Sequence, residues 1–179
     1  MNKYFLAVLP PDQISPEIVF FQKEIESAFG AIHAQKTPPH ITIIPPFECE
    51  PEKLTELISV FALFLKEKPI ADVTIELNNF QRFESRTLFV DVAKNDRFEK
   101  LCKELKLLFS KQKIIKQRIE KHYFIPHITI ANKDIKKRDF KVAWEVFKER
   151  GYQRSFKLKY LVLLELVVGK WEVKAAIIV

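Results

Sequence analysis

Short apolar runs closed by prolines alternate along the chain with stretches in which apolar residues recur every three or four positions. Tyr4 to Leu9 is such a run, ended by Pro10-Pro11, and predicts a buried strand. Ser15 is placed to cap a helix with Pro16 at its first position. Ile18, Phe21, Ile25 and Phe29 then follow at helical spacing up to Gly30. An extended segment, Ala31 to Thr37, leads into a strand over Pro39-His40-Ile41-Thr42-Ile43, which Pro45-Pro46 is expected to end. After Pro51, Leu54, Leu57, Ile58, Phe61 and Leu65 mark one stripe of a second helix. Asp72 to Leu77 alternates polar and apolar, as a half-solvated strand does, and Thr87 to Ala93 reads as another.

The pattern then recurs. Asp96 followed by Glu99 resembles a capping box, with Phe98, Leu101, Leu105 and Leu108 as the apolar stripe of a third helix. The basic segment Lys111 to Lys121 is expected to be a loop, and Tyr123 to Ala131 a strand containing Pro126-His127-Ile128-Thr129-Ile130. Phe140, Ala143, Trp144 and Phe147 predict a fourth helix ending at Gly151. Two strands, Ser155 to Val168 and Trp171 to Val179, close the chain as a hairpin turning at Gly169-Lys170.

Each half therefore runs strand, helix, His-Ile-Thr strand, helix, strand, over residues 4–77 and 87–166. The two histidines are 87 positions apart, Leu54 and Phe140 86, and Tyr4 and Leu88 84. So constant an offset predicts duplication of one supersecondary unit. The expected architecture is α+β: residues 1–179 as a single bilobal domain with a pseudo-two-fold repeat. Antiparallel sheets line a central cleft, helices pack on the outside, and the C-terminal strand 171–179 completes the sheets.

Composition narrows the function. Hydrophobic residues make up 47 % and charged residues 30 % of the 179, the balance of a globular protein. With 3 Gly there is no glycine-rich phosphate cradle and no dinucleotide fingerprint. No apolar run is long and uncharged enough to cross a membrane; Leu158 to Val168 is interrupted by Lys159 and Glu165. Met1 to Leu6 reads straight into a strand without signal-peptide features, so a cytoplasmic location is expected. Cys49 and Cys102 match no metal-ligand spacing and are expected to be reduced thiols. A formal charge of +7 favours polyanionic partners.

Chemistry concentrates in the paired triplets. Side chains alternate along a strand, so in each triplet His and Thr share one face and the isoleucines the other. Two such strands related by a two-fold axis would set two imidazoles and two hydroxyls across one groove. In-line displacement at a phosphodiester needs a base beside the nucleophile and an acid beside the leaving oxygen. An imidazole titrating at about 6.5 can serve as either. Threonine hydroxyls can hold the non-bridging oxygens. The scheme calls for no cofactor and no metal, and leaves open which histidine is acid and which is base.

Tandem His-x-Thr strands half a chain apart, in a chain of this length and element order, resemble the 2H phosphoesterase superfamily. That superfamily includes bacterial 2′-5′ RNA ligase-like proteins and RNA 2′,3′-cyclic phosphodiesterases. Pro38-Pro39-His40-Ile41-Thr42 and Phe124-Ile125-Pro126-His127-Ile128-Thr129 are most similar to its YjcG-like branch. The resemblance implies a catalytic role for His40 and His127 and a phosphate-binding role for Thr42 and Thr129. It implies, as partner, a nucleotide or RNA carrying a cyclic phosphate or 2′-5′ linkage; no membrane or protein partner is implied. Many RNA-ligase-like members carry arginine four residues after the first His and five after the second. Ile44 and Asn132 stand there in this chain, so a non-catalytic RNA- or nucleotide-binding module is the alternative.

Lys36, Arg86, Lys121 and Tyr123 flank the expected groove and are candidate phosphate or base contacts, with Tyr123 the candidate stacking residue. A surface or core role is the simpler expectation for each of them. His33 and His122 match no metal-ligand spacing and are expected at the surface.

Overall fold

The computed structural model describes residues 1–68, 72–84, 86–112 and 125–178. Among them, eight strands form one antiparallel sheet and four helices cover it. The elements are β1 (Asn2–Val8), α1 (Ser15–Phe29), β2 (Ile41–Cys49), α2 (Pro51–Lys66), β3 (Thr74–Phe83), β4 (Thr87–Val92), α3 (Asp96–Ser110), β5 (His127–Ala131), α4 (Lys137–Phe147), β6 (Gln153–Lys157), β7 (Tyr160–Val167) and β8 (Lys170–Ile178).

The sheet order is β6-β3-β4-β5-β2-β1-β7-β8. Outward from the β5/β2 seam it reads β4-β3-β6 on one side and β1-β7-β8 on the other. The halves thus exchange their last strands: β3, from the first half, pairs with β4, while β7, from the second, pairs with β1. The helices cross over in the same way. α1 packs on β5 and α3 on β2, and the buried Gln22 side chain donates from Nε2 to the Thr129 carbonyl at 3.0 Å.

Strand β1 is apolar on both faces. On β1, Tyr4, Leu6 and Val8 enter the large core beneath the helices. Phe5 and Ala7 join Val162 and Leu164 in a smaller cluster on the opposite face. That explains the unbroken apolar run from Tyr4, as in any strand buried on both sides. On β2 and β5, Ile41, Ile43, Ile128 and Ile130 enter the large core. His40, Thr42, His127 and Thr129 are half-buried on the other face.

Several local expectations are corrected. Strand β2 runs through Pro45-Pro46 to Cys49. Both prolines are exposed and coincide with a register shift, since Tyr4 faces Phe47 but Leu6 faces Ile44. A bulge needs no ladder donor at that point, so proline is tolerated. Ser15 does not cap α1; its hydroxyl donates to the Pro10 carbonyl at 2.8 Å, and Ile14 is the capping residue. Gly30 does end that helix, at φ 71°. The segment after it contains a 3-10 turn, His33–Lys36. Asn95, one residue before the expected cap, accepts from the Phe98 amide at 3.0 Å. The expected strand from Ser155 is broken between β6 and β7, and the final hairpin turns on Val168 and Gly169, both at positive φ. Helix α4 stops at Phe147 rather than Gly151.

Candidate active site

Strand pairing sets the site. Ile41 faces Ile128 across the β2/β5 seam. Extending that antiparallel register by one residue each way puts His40 opposite Thr129 and Thr42 opposite His127. Directly opposed side chains lie about 5 Å apart at Cβ, and the two histidines occupy diagonal positions at about 7 Å. Both imidazoles and both hydroxyls therefore lie on one face of the sheet.

Each ring is held in the same way. Nδ1 of His40 donates to the Pro38 carbonyl, and Nδ1 of His127 to the Ile125 carbonyl, each at 2.8 Å. A carbonyl oxygen only accepts, so Nδ1 carries the proton in the neutral ring and Nε2 keeps the exchangeable lone pair. The accepting residues, Pro38 and Ile125, both precede a proline, which holds them extended. Pro39 and Pro126 thereby present the two carbonyls to the rings.

Aromatic side chains wall the rings symmetrically. The Phe5 ring lies 4.9 Å from that of His40, inclined at 53°; Phe89 lies 5.0 Å from that of His127, at 54°. Phe83 meets His127 edge-on at 5.1 Å. On the other side Trp171 meets Phe5 edge-on at 4.7 Å. Burial among these groups opposes protonation. It pushes His40 down to about 4, with the charge of His127 acting in the same direction and the Pro38 carbonyl opposing. His127 is also lowered by burial, while the Ile125 carbonyl and the Asp91 carboxylate pull it back up.

The other candidates separate. Lys36 lines a cavity of about 330 Å³ with Gln22, Pro38, Pro39, Lys170 and Trp171, beside the His40 end of the groove. Arg86 is half-buried, and its Nη1 donates to the Ile135 carbonyl at 3.1 Å. His33 lies on the 3-10 turn, its amide bonded to Asp134. Lys121, His122 and Tyr123 lie outside the described residues. Ile44 is fully buried in the large core. No group of three or more metal-ligating side chains occurs among the described residues. No described helix is long and apolar enough to cross a membrane.

Sequence reasoning missed Phe5, Phe89, Trp171 and Asp91. The 84-residue offset that pairs Tyr4 with Leu88 also pairs Phe5 with Phe89, so that signal was present. Asp91, a lone carboxylate within the apolar strand Leu88-Phe89-Val90-Asp91-Val92, was another.

Fold and site together define a class: α+β proteins in which two exchanged halves hold a pair of strand-borne imidazoles over one groove. A sequence model of the 2′-5′ RNA ligase superfamily matches residues 10–170, and the chain belongs to that superfamily. A provisionally named phosphoesterase of Geobacillus kaustophilus (strain HTA426) is 25 % identical over 182 residues, covering 99 % of this chain and 96 % of that protein. Among solved structures, TT0787 of Thermus thermophilus has a TM-score of 0.68 at 17 % identity, covering 98 % of this chain and 96 % of that one. E. coli LigT complexed with 3′-AMP has a TM-score of 0.63 at 16 % identity, covering 98 % and 94 %.

Proposed function

We propose that the protein is a cytoplasmic, metal-independent phosphodiesterase that opens a 2′,3′-cyclic phosphate, or cleaves a related 2′-5′ phosphodiester, in a nucleotide or at an RNA end. The observation that carries this is the matched pair of imidazoles, each with Nδ1 tied to a carbonyl at 2.8 Å and Nε2 left for proton transfer at the same groove. One ring takes the proton of the attacking water and the other gives a proton to the leaving ribose oxygen. Thr42 and Thr129, each across from the other strand's histidine, donate to the non-bridging oxygens as charge builds on them.

The cavity lined by Lys36, Lys170 and Trp171 suits the rest of the nucleotide, with the indole for a base and the ammonium groups for a further phosphate. Crystals of E. coli LigT complexed with 3′-AMP, a ribonucleoside 3′-phosphate, support a nucleotide ligand of this kind. The buried Ile44, where many relatives carry arginine, favours the alternative of a module that binds RNA or nucleotide without turning it over.

The test is hydrolysis of 2′,3′-cyclic nucleotides and of a short RNA ending in a cyclic phosphate, with and without EDTA. Product is expected in both conditions, and His40→Ala and His127→Ala are each expected to lower the rate by about 10²–10⁴-fold while leaving the fold intact. Binding without product would favour the alternative. Wild-type rates in either variant would refute the catalytic pair.

A further inference from the structure

The two halves match closely around the histidines, and they differ at one position that matters chemically. Phe5 and Phe89 are equivalent, each tilted against its own histidine. Two residues further along each strand, on the same face, stand Ala7 and Asp91. Asp91 is the cross-strand partner of His127 in the β4/β5 ladder, and it is half-buried. Ala7 is fully buried in an apolar cluster with Phe5, Val162 and Leu164, which Trp171 completes.

We propose that Asp91 is a positioning residue that gives His127 the role of general acid and leaves His40 as the general base. The proposal rests on the phosphodiesterase reading above and names the proton path within it.

The reason is the difference in surroundings. A carboxylate about 5 Å away at Cβ, in a groove only partly open to water, stabilises an imidazolium through its field without a hydrogen bond. Nδ1 of His127 is already committed to the Ile125 carbonyl, so Asp91 leaves Nε2 unobstructed. His40 has the Phe5 ring against it, and Phe5 belongs to an apolar cluster with Ala7 and Trp171, surroundings that favour the neutral ring. Among the described residues, the titratable groups that bear on the pair are Asp91 on β4 and the other imidazole; β3 contributes Phe83 and β1 contributes Phe5 and Ala7. The shifts agree in direction with the geometry: burial lowers both rings, His40 to about 4 with the charge of His127 adding to the fall, whereas at His127 the Ile125 carbonyl and then Asp91 oppose it.

Protons and bonds then balance. His40 Nε2 takes a proton from water as its oxygen bonds to phosphorus. The bond from phosphorus to the leaving ribose oxygen breaks, and that oxygen receives the Nε2 proton of His127. The products leave His40 charged and His127 neutral, and exchange with solvent resets both.

The experiment has two arms. In the first, the imidazole protons of the intact protein are titrated by NMR in wild type, Asp91→Asn and Asp91→Glu. Asp91→Asn is expected to lower the His127 midpoint with a smaller effect on His40, and Asp91→Glu to restore it. This arm needs no turnover, so it stands even if the protein hydrolyses nothing. An unchanged His127 midpoint in folded Asp91→Asn, or a wild-type His127 that titrates below His40, overturns the proposal.

In the second arm, a nucleoside phosphodiester with a p-nitrophenolate leaving group replaces the cyclic substrate. That leaving group departs without a proton, so His127→Ala should recover at least tenfold relative to its deficit on the cyclic substrate, while His40→Ala stays impaired. Recovery of His40→Ala instead reverses the assignment and overturns the proposal. Absence of wild-type turnover on either substrate counts against the phosphodiesterase reading, leaving the first arm to decide the part played by Asp91.

Discussion

Ile41 lies directly across from Ile128 at the centre of the sheet, and both are fully buried. Among the described residues this pair joins β2 to β5, and hence one half of the sheet to the other. The side chains proposed to do chemistry are its immediate neighbours in sequence. Core packing on one face of the seam therefore sets the spacing of the imidazoles on the other.

Truncation at the seam should cost both stability and activity. Ile41→Ala or Ile128→Ala is expected to lower the unfolding free energy by about 2–4 kcal/mol, against about 1 kcal/mol for the valine variants. Because the two residues are directly opposed in one buried cluster, the double alanine variant should depart from additivity. Urea unfolding measures both. An effect below about 1 kcal/mol in the alanine variants would mean that the seam is held elsewhere.

The threonines separate a chemical role from a structural one. Valine keeps the β-branch that suits a strand and removes the hydroxyl. Thr42→Val and Thr129→Val are each expected to melt within a few degrees of wild type and to lose on the order of 10²-fold in kcat, with a smaller change in KM. A loss confined to KM would assign the hydroxyls to binding of the ground state alone.

The duplication, the two motif strands and the helix stripes were legible because each depends on local periodicity. The identity of the motif face was legible too, since proline fixes where each strand begins and alternation does the rest. What the sequence did not disclose lies in contacts between the halves. The exchange of β3 and β7 follows from sheet order, which no short stretch encodes. Asp91 stood out in its strand, yet its meaning depends on the β4/β5 register that sets it across from His127. Pro45-Pro46 misled for a related reason: proline ends a strand where both neighbours need its amide, and here a bulge removes that need.

Asp134 ties the halves together beside the groove. Its Oδ2 accepts from the amides of Ile32 and His33, both at 2.7 Å, and so links the segment after β5 to the 3-10 turn that carries Lys36. Asp134→Ala frees two exposed amides that water can satisfy, so the stability cost should be modest, about 1 kcal/mol. Loosening the turn should raise KM several-fold with kcat nearly unchanged. Steady-state kinetics separate the two constants, and a fall in kcat without a rise in KM would place Asp134 closer to the chemistry than the structure does.

Acid sensitivity gives a measure of His40 that is independent of turnover. In the unfolded chain this histidine takes up its proton near 6.5; burial in the folded protein delays that to about 4. Between those values the unfolded state binds the extra proton and the native state does not, so stability rises with pH and is lost as pH falls. The full depression corresponds to about 3 kcal/mol, absent above pH 6.5 and complete near pH 4. His40→Asn removes that titration and retains an amide that can donate to the Pro38 carbonyl. The variant is therefore expected to gain on wild type steadily from pH 6.5 down to pH 4. Glu17 and Glu165, whose carboxyls are held below the usual range by Arg154 and Lys174, contribute acid lability to both proteins equally and drop out of the difference. Denaturant titrations at pH 7, 5.5 and 4.5 give that difference directly, and a gap that does not change with pH would show that His40 is protonated in the native state as readily as in the unfolded one.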